Sequence, residues 1–197
     1  LALSGSTPYV TYKTSSGGTY GYYYNGSSWV DMGAGDADGY PGESAYYNGA
    51  LYVPSSNGDT TQVQVLEYTS GSWTVAQTFS EDEYSPNMAA DGSNLYLVYN
   101  NSTATDSESS LTVRQFDGTS WELLGDSIKP MNVDLYSYYK VAIAAHNGVP
   151  YVLTEADPDS GGSALYVMSY GTTSWIENAG GPVTDTNENA SRYKIGV

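Results

Sequence analysis

One pattern recurs four times along the chain: an aromatic residue followed five positions later by tryptophan. The four copies read YNGSSW, YTSGSW, FDGTSW and YGTTSW, and they end at Trp29, Trp73, Trp121 and Trp175, which are all the tryptophans of the sequence. Gly, Asn, Asp, Ser and Thr fill the gap between the two aromatic residues, which is the composition of a tight turn between two strands. The pattern therefore predicts four equivalent β-hairpins.

A second sequence pattern lies upstream of each hairpin and recurs with it at a similar spacing. A turn glycine is followed, three or four residues later, by a tyrosine and an aliphatic residue. The four copies are Tyr9-Val10, Tyr52-Val53, Tyr96-Leu97 and Tyr151-Val152. Because two independent markers recur together in four copies, the sequence is a tandem repeat.

Each repeat holds four strand-like runs in about 45–50 residues, which is the period and strand count of a β-propeller blade. One blade cannot bury both of its faces, so we expect the copies to pack face to face. The first run of the best copy, VAIAA at 141–145, is mostly small, as suits an innermost strand. The sequence predicts an all-β single domain over 1–197, with four four-stranded antiparallel blades at about 1–33 plus 192–197, 43–79, 88–125 and 139–180.

The motifs carry a resemblance to a known group of proteins. The pattern A-x-x-x-G-x-P-Y-V followed by Y-x-G-x-S-W resembles the tandem propeller repeats of bacterial and archaeal secreted or cell-surface proteins. The match covers nearly the whole chain, and its motifs are structural. The resemblance implies the propeller fold and an extracellular or cell-surface location, and it assigns no functional residue.

The two ends of the chain fit together as parts of one strand. The C-terminal segment Arg192–Val197 resembles the start of the inner strand at Tyr139–Ile143, and Leu1 aligns with the middle of that strand. We expect this segment to complete the first blade and to remove a free sheet edge. Closure within one chain gives a monomer, whereas completion of the next chain's first blade gives a strand-swapped homo-oligomer or a filament.

Charge and composition exclude several classes of partner. The sequence has 22 acidic and 6 basic residues, for a net charge of −16, whereas a nucleic-acid-binding protein needs a basic face. No apolar run approaches the roughly 20 residues of a membrane helix, so we expect no membrane insertion. The chain has no cysteine, which excludes disulfides and thiolate metal ligands. Most acidic residues fall in connections that share one face of a propeller, and we expect a protein or glycan partner on that loop-bearing face.

No catalytic constellation is visible in the sequence. His146 is the only histidine, and we interpret it as a turn residue of the segment AHNG. One histidine without cysteine argues against a zinc site, and no nucleophile-elbow motif is present. Glycosidase chemistry needs only two carboxylates, and the sequence does not exclude it. Because the chain is short for the propeller glycosidases, we expect it not to be an enzyme.

Two loops alternate acidic residues with glycine nearby, and calcium takes oxygen ligands from loops of this kind. The candidate metal ligands are Asp36, Asp38, Asp157 and Asp159. Neither loop matches the full twelve-residue calcium-binding pattern. The sequence therefore establishes no cofactor, and calcium is the candidate.

Two functions remain open at this stage. The first is a non-catalytic extracellular propeller module for adhesion, surface assembly or protein binding. The second is a carbohydrate-binding, lectin-like propeller that holds sugars against loop tyrosines and asparagines. Near-identical repeats favour multivalent sugar binding, and these repeats differ at their loops.

Overall fold

The computed structural model contains four antiparallel sheets, as the repeats predict. It describes residues 1–15, 17–35, 39–57, 62–80, 83–101, 110–128, 133–134, 141–158, 164–178, 181–184 and 195. In these residues there are eighteen strands and no α-helix. The predicted fold class, an all-β chain of four antiparallel blades, is confirmed.

Each sheet is one blade, and its strands follow one another from the inner edge to the outer edge. Blade 1 contains β1 (Ala2–Ser4), β2 (Thr7–Lys13), β3 (Thr19–Tyr24) and β4 (Trp29–Ala34). Blade 2 contains β5 (Tyr40–Pro41), β6 (Ala45–Tyr47), β7 (Ala50–Asn57), β8 (Gln62–Thr69) and β9 (Ser72–Phe79).

The second half of the chain repeats this order. Blade 3 contains β10 (Glu83–Ala90), β11 (Leu95–Asn101), β12 (Ser110–Phe116) and β13 (Trp121–Leu123). Blade 4 contains β14 (Val133–Asp134), β15 (Val141–His146), β16 (Val149–Pro158), β17 (Ala164–Tyr170) and β18 (Trp175–Glu177). In blades 2 and 4 two short strands share the inner edge, and both pair with the strand that follows.

The inner strands carry an alanine opposite the motif tyrosine in every blade. The four pairs are Ala2↔Tyr9, Ala45↔Tyr52, Ala89↔Tyr96 and Ala144↔Tyr151. All four alanines line one cavity of about 270 Å³ between the inner strands. The prediction that small residues occupy the innermost strands is confirmed, because larger side chains at these positions would fill the space where the blades converge.

Short turns fix the register between the strands. The dipeptides Asn48-Gly49, Ser70-Gly71 and Asn147-Gly148 have positive φ at both residues, as a two-residue hairpin turn requires. Longer turns are held by a side-chain carboxylate or amide. Asp117 Oδ1, for example, accepts hydrogen bonds from the backbone nitrogens of Thr119 and Ser120 at 2.7 and 2.9 Å.

The core consists of three apolar clusters, one at each junction between consecutive blades. We call the face of a blade that packs on the preceding blade its leading face, and the opposite face its trailing face. Leading residues such as Leu66, Leu97 and Val152 are fully buried in their clusters. The blades are therefore joined by side chains that alternate along each strand between the two faces.

The tryptophans lie on leading faces, as expected for residues that pack between blades. Trp73, Trp121 and Trp175 pack against the apolar clusters of their junctions, which confirms the prediction for these three. The same prediction is wrong for Trp29, which is 52% exposed. Trp29 belongs to none of the three clusters and contacts Tyr24 of its own hairpin, with ring centroids 5.6 Å apart. The predicted closing segment at 192–197 lies outside the described residues apart from Ile195, and closure stays a prediction.

Candidate functional site

Two of the three junctions are closed by the same hydrogen bond. Trp73 Nε1 donates to the carbonyl oxygen of Met32 at 2.9 Å, and Trp175 Nε1 donates to the carbonyl oxygen of Leu124 at 2.9 Å. The residue after each acceptor is a glycine, Gly33 or Gly125, with φ of 73° in both cases. The left-handed glycine gives the outer strand the same bend at both junctions, so the preceding carbonyl points at the incoming indole.

The junction between blades 2 and 3 lacks this arrangement. Each glycine stands four residues after its own blade's tryptophan, and in blade 2 that position is Gln77. Here β9 continues along β8 with a bulge, since Val65 pairs with Gln77 while Leu66 pairs with Val75. Trp121 Nε1 makes no hydrogen bond to any residue that the structure describes. The Trp121 side chain lines a cleft at this junction.

The cleft at this junction has a volume of about 590 Å³. Its lining residues come from both blades and are Tyr52, Glu67, Ala76, Gln77, Phe79, Arg114, Phe116, Thr119, Ser120 and Trp121. The ring of Trp121 stacks on Phe116 with centroids 5.0 Å apart and meets Phe79 edge-on at 5.9 Å. These three rings make one wall of the cleft apolar and rigid.

The positively charged side chain of Arg114 lies between the two blades at the cleft. The repeat alignment places Arg114 at the position of Leu66 in blade 2 and Met168 in blade 4, which are both buried. The Arg114 guanidinium is 4.4 Å from the centre of the Phe79 ring, and its Nε donates to the Tyr99 hydroxyl at 2.7 Å. The cation–π contact and the hydrogen bond hold the planar guanidinium in one orientation.

A carboxylate faces the cleft from the other blade. Glu67 on β8 lies at the position of Tyr23 in blade 1 and Ser169 in blade 4. Burial, followed by the negative charge of Glu67, raises the pKa of the Tyr52 hydroxyl above its ordinary value. The Glu67 carboxylate therefore provides a negatively charged hydrogen-bond acceptor in the lining of the cleft.

The cleft combines donors, acceptors and an aromatic wall. The Trp121 N–H and the Gln77 amide donate, the Glu67 carboxylate accepts, and the Thr119 and Ser120 hydroxyls do both. Concave sites with a few convergent polar groups on an apolar wall bind small molecules. This arrangement fits a ligand that has hydroxyl groups on its edge and an apolar face.

Sequence reasoning missed these residues, although the repeats contain the signal for them. When the four copies are aligned by their tryptophans, Gln77 stands out against Gly33 and Gly125. Arg114 stands out in the same way against Leu66 and Met168. Both departures from the repeat lie at the junction between blades 2 and 3, where the structure has the cleft.

The predicted calcium ligands stay a prediction. Asp36, Asp38 and Asp159 lie outside the described residues, and Asp157 lies in β16, where it pairs with Asp134 of β14. In the part of the chain that the structure describes, no group of three or more His, Cys, Asp or Glu residues could hold a metal ion. His146 is exposed at the end of β15, with its Nε2 3.0 Å from Asn147 Nδ2, which agrees with its interpretation as a turn residue.

Comparison with known proteins places the fold among propeller proteins. No protein-family model matches the chain, and no curated protein matches its sequence. The chain is similar in structure to the fucose-specific lectin from Aleuria aurantia, with a TM-score of 0.60, 16% identity, and coverage of 94% of this chain and 59% of the lectin. The Y-x-G-x-S-W repeat group itself therefore stays a prediction.

Two glycoside hydrolases are also similar in structure. A thermostable family-43 glycoside hydrolase gives a TM-score of 0.57 at 14% identity, with coverage of 95% of this chain and 72% of the hydrolase. An endo-1,4-beta-xylanase from Bacteroides thetaiotaomicron gives 0.53 at 15% identity, with coverage of 91% and 71%. At these identities the similarity shows the fold. The chain spans less than three-quarters of each of these larger structures.

The expectation that the chain is not an enzyme is wrong, because glycoside hydrolases are among the proteins that share its fold. The expectation rested on the single histidine, the absence of cysteine and the short chain. Glycoside hydrolysis requires neither residue type, since it uses a pair of carboxylates. The residue inventory therefore could not exclude this class of chemistry.

None of the described residues forms a helix of sufficient length and hydrophobicity to cross a bilayer.

Proposed function

We propose that the protein binds carbohydrate in the cleft between blades 2 and 3. The observation that carries the proposal is the Trp121 side chain, which lines the cleft and whose indole N–H makes no hydrogen bond to any residue that the structure describes. A sugar ring can lie against the Trp121 face, and one of its hydroxyl groups can accept a hydrogen bond from Nε1.

The polar groups around Trp121 support the same ligand class. Sugar hydroxyls both donate and accept, and the cleft offers Glu67 as an acceptor and the Gln77 amide as a donor. Arg114 adds a positive charge to the lining that also holds the Glu67 carboxylate, so the cleft offers sugar hydroxyl groups both a cation and an anion. The cleft volume of about 590 Å³ falls within the range of small-molecule sites.

The structural comparisons support the class without identifying the sugar. The similar structures include a fucose-specific lectin and carbohydrate-active enzymes of the same fold. An extracellular or cell-surface location belongs to the same proposal, because glycans accessible to such a cleft are displayed there. Binding them would attach the protein to a glycan-bearing surface, which is the adhesion role predicted from the sequence.

A glycan array followed by isothermal titration calorimetry tests the proposal. We expect at least one glycan to bind, and we expect Glu67→Gln to weaken its affinity by roughly ten-fold or more, because a hydrogen bond to a charged group contributes about 1.5–3 kcal/mol. The matched control is Asp126→Asn, which removes an exposed carboxylate of blade 3 that does not line the cleft. An array without a specific ligand, or equal affinities for the two variants, would show that the cleft is not the site.

The tryptophans provide a second control. Trp121→Phe removes the N–H and keeps an aromatic ring, so we expect it to weaken glycan binding. Trp175→Phe removes an N–H that is bonded to Leu124 and should leave glycan affinity unchanged. Chromatography of the bound glycan after incubation detects cleavage products and so reads out hydrolase activity on the same samples.

A further inference from the structure

A pocket of about 250 Å³ lies at the junction between blades 1 and 2. Two hairpin turns of blade 2 form part of its lining, and the rest consists of four tyrosines: Tyr9, Tyr23, Tyr46 and Tyr68. We call it the tyrosine pocket. The same four side chains pack against the apolar cluster of this junction, so the core holds their rings in place.

Two of the four tyrosines depart from the repeat. Tyr23 pairs with the motif tyrosine of blade 1, and the residues that pair with the motif tyrosine in the other blades are Glu67, Gln115 and Ser169. Tyr46 lies on the inner strand of blade 2, where the other blades have Leu3, Ala90 and Ala145. Because the other junctions form without tyrosine at either position, packing of the blades does not require these two rings.

The ring faces give the tyrosine pocket its electrostatic character. The centroid of the Tyr9 ring is 5.7 Å from that of Tyr23 and 5.3 Å from that of Tyr46, with the planes tilted by 27° and 30°. Burial raises the pKa of the Tyr9 and Tyr68 hydroxyls, so both are neutral at physiological pH. The face of an aromatic ring is electron-rich, and several faces around one space attract a positive charge.

The charges of the protein favour a cation at this position. None of the described residues that line the tyrosine pocket is charged, and the described cations Lys13 and Arg114 lie over other rings. The negative charge of Asp31 contributes to the raised pKa of Tyr68, after burial and Tyr23. The chain as a whole carries a net charge of −16, which raises the local concentration of cations at its surface.

We propose that the tyrosine pocket is an aromatic cage for a small organic cation that carries a quaternary ammonium group. The methyl groups of such a cation contact the ring faces, and the faces stabilise its charge. A cavity of about 150 Å³ holds benzene, so the tyrosine pocket is large enough for a compact cation. The inference is independent of carbohydrate binding, because the tyrosine pocket shares no lining residue with the cleft between blades 2 and 3.

Isothermal titration calorimetry with choline as the probe tests the proposal. The matched ligand is 3,3-dimethyl-1-butanol, which has the shape of choline without its charge, and we expect it to bind roughly ten-fold more weakly or not at all. Tyr23→Leu removes a ring and keeps an apolar side chain, so it should weaken choline binding by roughly ten-fold. Tyr23→Phe keeps the ring face and should bind choline about as well as wild type. Circular dichroism confirms that each variant is folded.

The outcomes separate this proposal from its alternatives. Wild-type protein that does not bind choline, or that binds the neutral alcohol equally well, would overturn the aromatic cage. Equal losses in Tyr23→Phe and Tyr23→Leu would also overturn it, because the hydroxyl would then make the contact, as expected for a sugar. Glu67→Gln alters the cleft and should leave choline affinity unchanged, and a loss in this variant would place the cation in the cleft. A glycan array without a ligand would refute carbohydrate binding alone.

Discussion

Two junctions are closed by a tryptophan hydrogen bond, and each has a glycine beside it. The structure predicts that replacing these two glycines by alanine lowers the free energy of unfolding by different amounts. Gly33 and Gly125 occupy equivalent positions, both with φ of 73°, and each follows the carbonyl that accepts a tryptophan N–H. A Cβ at Gly33 would meet nothing within 4 Å. A Cβ at Gly125 would lie 2.8 Å from Tyr170 Cε2 and 3.4 Å from Trp175 Nε1. Replacement of each glycine by alanine therefore separates backbone strain from packing.

The backbone contribution is the same in both variants. An L-residue in the left-handed region costs roughly 1–2 kcal/mol. The lower entropy of the unfolded alanine chain offsets about 0.4–1 kcal/mol of this cost. We therefore expect Gly33→Ala to lower the free energy of unfolding by about 1 kcal/mol.

The packing contribution applies to Gly125 alone. Its new methyl group must displace Tyr170 and Trp175, and overpacking of a well-packed site costs about 1–3 kcal/mol. Displacement of Trp175 also weakens the hydrogen bond to Leu124, which contributes about 1 kcal/mol. We expect Gly125→Ala to lower the free energy of unfolding by about 2–5 kcal/mol in total.

Urea denaturation followed by circular dichroism measures both free energies of unfolding in the same buffer. We expect Gly125→Ala to be the less stable variant by more than about 1 kcal/mol, which is outside the usual error of linear extrapolation for a small protein. Equal losses in the two variants would refute the packing argument, because the cost would then come from the backbone alone. A larger loss in Gly33→Ala would refute the placement of Trp175 against Gly125.

Two further predictions rest on individual contacts, and a third tests the candidate calcium ligands. Trp73→Phe should lower the free energy of unfolding by about 1 kcal/mol more than Trp121→Phe, because Trp73 donates an indole hydrogen bond to Met32 and Trp121 donates none to a described residue. Urea denaturation of both variants measures the difference. Hydrogen bonds from Ser120 and Thr119 lower the pKa of Asp117, so the stabilisation by its carboxylate is complete above the unfolded pKa and is lost as pH falls through the folded pKa. Denaturation of wild type and Asp117→Ala should accordingly show a gap at neutral pH that disappears in acid, and a gap independent of pH would contradict this assignment. Millimolar calcium should raise the melting temperature of wild type more than that of a variant in which Asp36, Asp38, Asp157 and Asp159 are replaced by Asn; equal responses would exclude these ligands.

The repeat was sufficient to predict the blades, because its two markers lie at the ends of strands whose register the turns determine. Tyr52 and Trp73, for example, mark the second and fourth strands of blade 2, and each pairs as the spacing requires. The alanines of the inner strands were predictable for a similar reason. Space near the axis is limited in every blade, so the same small residue recurs.

The cleft was harder to predict because it arises from departures from the repeat. A search for features shared by the repeats treats Gln77 as a variable residue of an outer strand. Because Gln77 stands where blades 1 and 3 have Gly33 and Gly125, the junction between blades 2 and 3 lacks the tryptophan hydrogen bond. The exposure of Trp29 was missed for another reason. Its sequence context matches the other three copies, so the motif alone does not distinguish an exposed tryptophan from one that packs between blades.

The most direct test of the proposed site observes the tryptophan indole groups one by one. A ¹H–¹⁵N spectrum of the labelled protein should contain four indole N–H signals, one for each tryptophan, and Trp→Phe variants assign them. Titration with a glycan selected on the array should shift the Trp121 signal strongly, because Trp121 lines the cleft and its N–H makes no hydrogen bond to a described residue. The signals of Trp73 and Trp175 should stay in place, since their N–H groups are bonded to Met32 and Leu124. A titration that leaves Trp121 unchanged while the glycan binds would contradict the account and place the sugar elsewhere on the propeller.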